Sequence, residues 1–187
     1  MWIVLVAMVV STVIGVLLGI LISFNQKVAS IVLYAAGVIM TVPSIALFAF
    51  MIPLLGLGFV PAVVGLILYT QLPILRNTYI GLNSVDPAIL EAAKGLGMTP
   101  RRILFRVKLP LAFPVIMAGI RTSVVMGIGI ASIAAYIGSG GLGELIFRGI
   151  SRTDMKMVLS GAILISIFSL IADYSMSLIE RRVSKGT

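Results

Sequence analysis

The chain has 187 residues, 60% hydrophobic and only 11% charged, with a mean hydropathy of +1.20. That is too little polar surface for a water-soluble domain, so the solvent for most of the chain is lipid. Cysteine and histidine are absent and only six residues are acidic. This excludes disulfides, thiolate nucleophiles and a histidine base or ligand; no catalytic or metal-binding residue is assigned. The net charge of +8 reads as the loop bias of a membrane protein rather than the footprint of a nucleic-acid binder.

The chain reads as one all-α integral membrane domain, 1–187, divided into helices of about 20 residues that cross ~30 Å of hydrocarbon. Long apolar runs, the first three without a charge, predict five spans, at about 2–24, 28–54, 59–75, 118–137 and 157–179. The first is too long, and too poor in basic residues at its start, to be a cleaved leader. Its Gly15 and Gly19 form G-x-x-x-G, a pattern that lets helices approach closely. The run from Val28 to Leu75 exceeds one span and divides at Gly56-Leu57-Gly58-Phe59-Val60-Pro61. Pro43 then falls near the middle of the second span, flanked by Thr41 and Ser44, and Gln71 near the end of the third. Thr41, Pro43, Ser44 and Gln71 are candidates for a translocation path, because broken helices near the midplane line such paths. The other role open to the proline is a packing kink. Along the fourth span Gly119, Ser123, Gly127, Ala131 and Ala135 recur every four residues, a stripe suited to helix packing before pore lining. Arg121 and Asp173 fall inside the fourth and fifth spans at comparable depth and are expected to pair, the alternative being that each snorkels alone to the headgroups.

The only long polar stretch is 76–110. Asp86-Pro87 and Thr99-Pro100 are each an N-cap followed by proline at the first helical position. Gly95 and Gly97 permit the left-handed residue that ends a helix. Two short helices are expected, the second basic, from Arg101 to Lys108, and ended by Leu109-Pro110. If this loop is cytoplasmic, ten Lys and Arg lie inside and three outside, with Arg121 in the membrane. The positive-inside rule then sets the N-terminus outside and the C-terminus inside. The basic helix would also hold anionic lipid headgroups. The Gly138–Gly143 run satisfies G-x-G-x-x-G but follows no strand and has no acidic residue about 20 positions on, so it is expected to be an irregular turn. There is no P-loop, so ATP is not expected on this chain.

The string Glu91-Ala92-Ala93, Gly97, then Val107-x-Leu109-Pro110 resembles the EAA signature of permeases of the ATP-binding-cassette importers. Val107 stands where isoleucine is usual. The resemblance implies the transmembrane domain of a type I importer, in which Glu91, Ala92, Ala93, Gly97, Val107, Leu109 and Pro110 form the element that docks on a cytoplasmic ATPase. It also implies a second permease copy or sister permease, an extracytoplasmic solute-binding protein, ATP on the partner subunit with no cofactor here, and residence in a bacterial cytoplasmic membrane. Thr41-Val42-Pro43-Ser44, Leu72-Pro73-Ile74-Leu75-Arg76-Asn77-Thr78, Ala118-Gly119-Ile120-Arg121-Thr122 and the glycine run look like the osmoprotectant branch, which imports glycine betaine, choline and carnitine. D-methionine-type permeases share Gly-Gly-Leu-Gly, so another small solute such as an amino acid stays open. The family carries a segment ahead of its first span, so an absent outer N-terminal helix is expected here. An autonomous channel or secondary transporter is the reading from another class; it would need intramembrane coupling charges, for which only Arg121 and Asp173 qualify.

Overall fold

The computed structural model describes residues 2–184, all of whose regular elements are helical. Lys185, counted above in the C-terminal basic cluster, lies outside the described residues. In chain order the helices are α1 (Trp2–Ile22), α2 (Gln26–Thr41), α3 (Ser44–Leu55), α4 (Phe59–Asn83), α5 (Pro87–Gly95), α6 (Pro100–Ile103), α7 (Leu109–Ala134), α8 (Gly143–Ser151) and α9 (Met155–Ser184). A π-helical turn, Leu104–Lys108, joins α6 to α7. Among the described residues, four helices are long and apolar enough to cross a membrane, and the bent pair α2–α3 makes a fifth crossing if it counts as one span.

The bundle is built around α4, which packs against α1, α2, α3 and α7. Small residues set the α1–α4 distance. A Cβ on Gly15 would come within 2.7 Å of the Ile74 side chain, and one on Gly19 within 2.5 Å of Thr78. The G-x-x-x-G pair is therefore the seam against α4. The stripe on the fourth span likewise packs. A Cβ on Gly119 would meet Asn77 at 2.6 Å, Ser123 is fully buried, and Gly127 lies against Met8 and Thr70. Where α1, α4 and α7 meet, Val4, Met8, Ile74 and Ile128 form an apolar core.

Several segments differ from the sequence expectation. The span at 28–54 is two helices, bent by 96° between Thr41 and Ser44. Pro43 has extended ψ and caps α3 rather than kinking one helix. The span at 59–75 runs on to Asn83, because fully buried Thr78 and Leu82 keep α4 packed past the exposed Arg76. The polar connection thus narrows from 76–110 to the two short helices and their flanks. The basic helix does not end at Leu109-Pro110. Helix continues from Pro100 to Ile137, so the span expected at 118–137 starts earlier. Proline clashes with the carbonyl four residues back. The π-turn widens the helix there, and Leu109 N–H bonds the Leu104 carbonyl five residues back. The connection 138–156 contains amphipathic α8, whose Leu145 and Ile146 lie against Gly161. The span expected at 157–179 is the longer α9.

Candidate functional site

The connection between α4 and α7 is a small structured unit at one end of the bundle. Asp86 Oδ1 accepts from Ala88 N–H at 2.8 Å, with Pro87 opening α5. The helix ends in a Schellman motif: Met98 N–H bonds the Ala93 carbonyl at 3.1 Å and Gly97 N–H the Lys94 carbonyl at 2.9 Å. Gly97 is the left-handed residue, at φ +75, whereas Gly95 lies within the helix. A Cβ at Gly97 would meet nothing within 4 Å. Glycine is needed there for conformation and not for space. Thr99 Oγ1 then accepts from Arg102 N–H at 3.4 Å and starts α6.

The EAA residues occupy distinct positions on this unit. Glu91 and Ala92 are exposed and Ala93 is buried; Val107 sits in the π-turn, and Leu109 and Pro110 open α7, all three partly covered. The motif's C-terminal half is thus the root of a long helix, and its N-terminal half the tip of the connection. Sequence reasoning missed two residues. Leu96 is 83% exposed and Ile89 43% exposed. Both lie on the outer surface of the unit, on the same short helix and its cap as Glu91 and Ala92. The signal was present in Gly95-Leu96-Gly97, where a leucine between two glycines has no helix face to join.

The candidate path residues do not assemble as a set. Thr41 and Pro43 are exposed at the α2–α3 break, where Thr41 Oγ1 donates to the Val38 carbonyl at 2.7 Å. Ser44 is half-buried at the start of α3. Tyr69 of α4 donates its hydroxyl to the Val42 carbonyl and fixes the break to the bundle. Gln71 faces α1 instead. Its Nε2 donates to Ser11 Oγ at 2.9 Å and to the Ser11 carbonyl at 3.3 Å. Ser11 Oγ in turn lies 2.6 Å from Thr70 Oγ1, and Ser123 donates to the Thr70 carbonyl at 2.8 Å. Gln71 thus belongs to a buried polar ladder joining α1, α4 and α7, as hydroxyl and amide groups do between helices in lipid.

Arg121 and Asp173 are brought together. Arg121 Nε donates to Asp173 Oδ1 at 2.6 Å and Nη2 to Oδ2 at 2.8 Å, a side-on fork. Nη1 reaches Glu180 at 3.4 Å. Glu180 went unread in the sequence, although seven residues after Asp173 it lies two turns along the same helix face. At the opposite end of the bundle the glycine run is an irregular turn, with Gly138, Gly140 and Gly141 at positive φ. Residues 139–143 line an opening of about 290 Å³ with Ile3, Ile128 and Phe168, while Gly138 and Gly141 are exposed.

The helices define an integral membrane bundle, with a short capped helix exposed at one end and a broken helix pair beside α4. Residues 11–185 match the family described as binding-protein-dependent transport system inner membrane component, and the chain belongs to that family. It is a multi-pass permease subunit of the ATP-binding-cassette importers, which sets aside the autonomous channel or secondary transporter. It is 46% identical over 179 residues to the osmoprotectant import permease protein OsmW of Salmonella typhimurium, covering 93% of this chain and 83% of that protein. It is 44% identical over 180 residues to the choline transport system permease protein OpuBB of Bacillus subtilis, covering 96% and 83%. A match of 44% over 184 residues, covering 98% and 85%, is to the glycine betaine/carnitine/choline permease OpuCB of the same organism. Among solved structures, the inward-facing MetNI methionine transporter aligns over 97% of this chain and 93% of that one, with TM-score 0.81 at 22% identity. A likeness at that identity bears on the fold: the type I importer transmembrane domain.

Proposed function

We propose that this permease carries a quaternary-amine osmoprotectant, of the choline, glycine betaine and carnitine class, across the bacterial cytoplasmic membrane. The observation that carries the reading is 44–46% identity, over more than nine-tenths of the chain, to permeases whose names specify these solutes. The amino-acid importers are similar at 20–22% identity, a likeness of fold, so the substrate reading follows the nearer relatives.

In this reading two permease copies, identical or sister, enclose the path, and a separate binding protein delivers solute from outside. Recognition of the quaternary ammonium by cation–π contact falls mainly to that binding protein. The α5 unit, with Glu91, Ala92, Ala93, Leu96 and Gly97, enters a groove on a cytoplasmic ATPase, which binds ATP while this chain holds no cofactor. Closure of the ATPases pushes on α5 and switches the bundle between its two facings. The N-terminus lies outside and the C-terminus inside, as the ten-to-three excess of basic residues directs. Thr41, Pro43 and Ser44 at the helix break are the residues offered to the path.

The test pairs uptake of labelled choline, glycine betaine and carnitine with co-purification of the ATPase, for wild type, Glu91→Lys and Gly97→Asp. Both variants should reach the membrane at normal abundance, lose ATPase association and lose uptake, while solute binding to the isolated binding protein is unchanged. Normal transport by both variants removes the coupling role. Uptake of an amino acid in place of all three amines removes the substrate.

A further inference from the structure

The α1–α7 flank carries two adjoining openings. One is an apolar groove of about 770 Å³, walled by Val13, Val16 and Leu17 of α1 and by Phe105, Leu109 and Phe113. The other, about 410 Å³, opens where α1 ends, between Ser23 and Phe24 on one side and Lys94, Met98, Leu104 and Lys108 on the other. Thr12, Val16, Ile20 and Ser23 run through both as a single stripe of α1 at helical spacing. The second wall steps by one residue, from Leu104 and Lys108 to Phe105 and Leu109. α1 packs chiefly on α4 and only lightly on α7, which leaves this flank unfilled by the chain.

The chemistry of the two openings differs in the sense of one amphiphile. The long groove is almost wholly apolar and lies along the membrane-crossing part of both helices. The end opening sits where α1 leaves the membrane and presents two lysines. Neither lysine is paired with a carboxylate among the described residues. Lys108 is half-buried and Lys94 exposed, so their stems line the opening while both ammonium groups remain to be neutralised. A zwitterionic lipid brings its phosphate together with a cation of its own and adds no net negative charge at the two lysines; a soluble anion would leave the groove empty.

We propose that this flank is a phospholipid site selective for an anionic headgroup, with the phosphate at Lys94 and Lys108 and an acyl chain along Val13, Val16 and Leu17. Because Lys94 belongs to α5 and Lys108 to the π-turn at the root of α7, the headgroup would tie the tip of the coupling unit to its base. The site depends on the chain being a membrane protein and not on which solute it carries or which face α5 meets.

The test is photocross-linking of the full-length chain, purified in detergent, with a phosphatidylglycerol bearing a photoreactive acyl chain, followed by peptide mapping. Cross-links are expected on residues 12–24 and 104–113. Unlabelled phosphatidylglycerol should displace the probe on the order of 25-fold better than phosphatidylcholine of the same chains, at about fivefold per lysine. Glycerol 3-phosphate should not displace it. Lys94→Gln with Lys108→Gln should abolish the preference between headgroups. Leu17→Trp, a filling change at a surface position, should reduce cross-linking by either lipid. Equal competition by phosphatidylcholine, a preference retained by the double variant, or cross-links elsewhere would overturn the site. Displacement by glycerol 3-phosphate would replace it with a soluble-anion site.

Discussion

Arg121 and Asp173 face each other side-on, two parallel N–H···O bonds joining α7 to α9 at 2.6 and 2.8 Å. The helix α9 otherwise presents mostly exposed apolar residues and packs chiefly on α7 and α8. The fork therefore fixes the rotation of a helix that apolar packing alone would hold loosely. Asp173→Asn should lower the thermal midpoint of the detergent-purified protein by a few degrees, because a fork of charged hydrogen bonds is replaced by weaker contacts. Reversing the pair, Arg121→Asp with Asp173→Arg, should recover part of the loss. Equal midpoints for wild type and Asp173→Asn would show that Glu180 alone suffices as the partner.

The α1–α4 seam offers a steric test. Gly19→Ala places a Cβ 2.5 Å from the Thr78 Cβ, and overpacking of this kind costs about 1–3 kcal/mol. Thr78→Gly in the same chain removes the opposing atom, and stability should return toward wild type. Unfolding in mixed micelles, followed for the single and double variants, measures both effects. A Gly19→Ala protein as stable as wild type would mean that the two helices part without cost.

Gly97 separates conformation from space. Since a Cβ there meets nothing of this chain within 4 Å, the cost of substitution to the chain's own turn is that of the left-handed backbone, about 1–2 kcal/mol for alanine. Asparagine visits that region more readily and β-branched residues least. Uptake should fall in the order Gly97, Asn, Ala, Val at constant membrane abundance. A flat series would free the α5 turn from its left-handed geometry.

Topology can be read directly because the chain has no cysteine of its own. A cysteine at Ser139, in the glycine turn, should react with an impermeant thiol reagent in intact cells. One at exposed Ser84, beside α5, should react only after the membrane is opened. The reverse pattern would invert the orientation and place α5 out of reach of a cytoplasmic ATPase.

What could be read from the sequence was whatever local chemistry decides alone. Asp86-Pro87 and Gly97 begin and end α5 through their own side chain or backbone, so spacing located them. Gly15 and Gly19 announced a close helix contact, though not that α4 would be the neighbour. Tertiary context decided the rest. Pro53, Pro73 and Pro114 lie within helices, while Pro43 breaks one, and nothing in the composition around it distinguishes the cases. The Tyr69 bond to the Val42 carbonyl, 27 residues away in sequence, is part of the difference. Gln71 looked like a pore residue because it is polar within a span; its partner Ser11 lies 60 residues away. Pro110 looked like a helix end because the π-turn that absorbs it has no sequence signature.

That unbroken run of helix has a mechanical consequence. From Pro100 to Ile137 it counts 38 residues, a rod about 57 Å long at 1.5 Å per residue. Its lower end grows out of the unit that holds Glu91 and Gly97. Its upper end carries the α3–α4 turn, through the bond from Gly58 N–H to the Ile137 carbonyl at 2.9 Å. Such a rod works as a lever arm. A tilt of about 5° applied at the base displaces the tip by about 5 Å over that length, roughly the width of a trimethylammonium group.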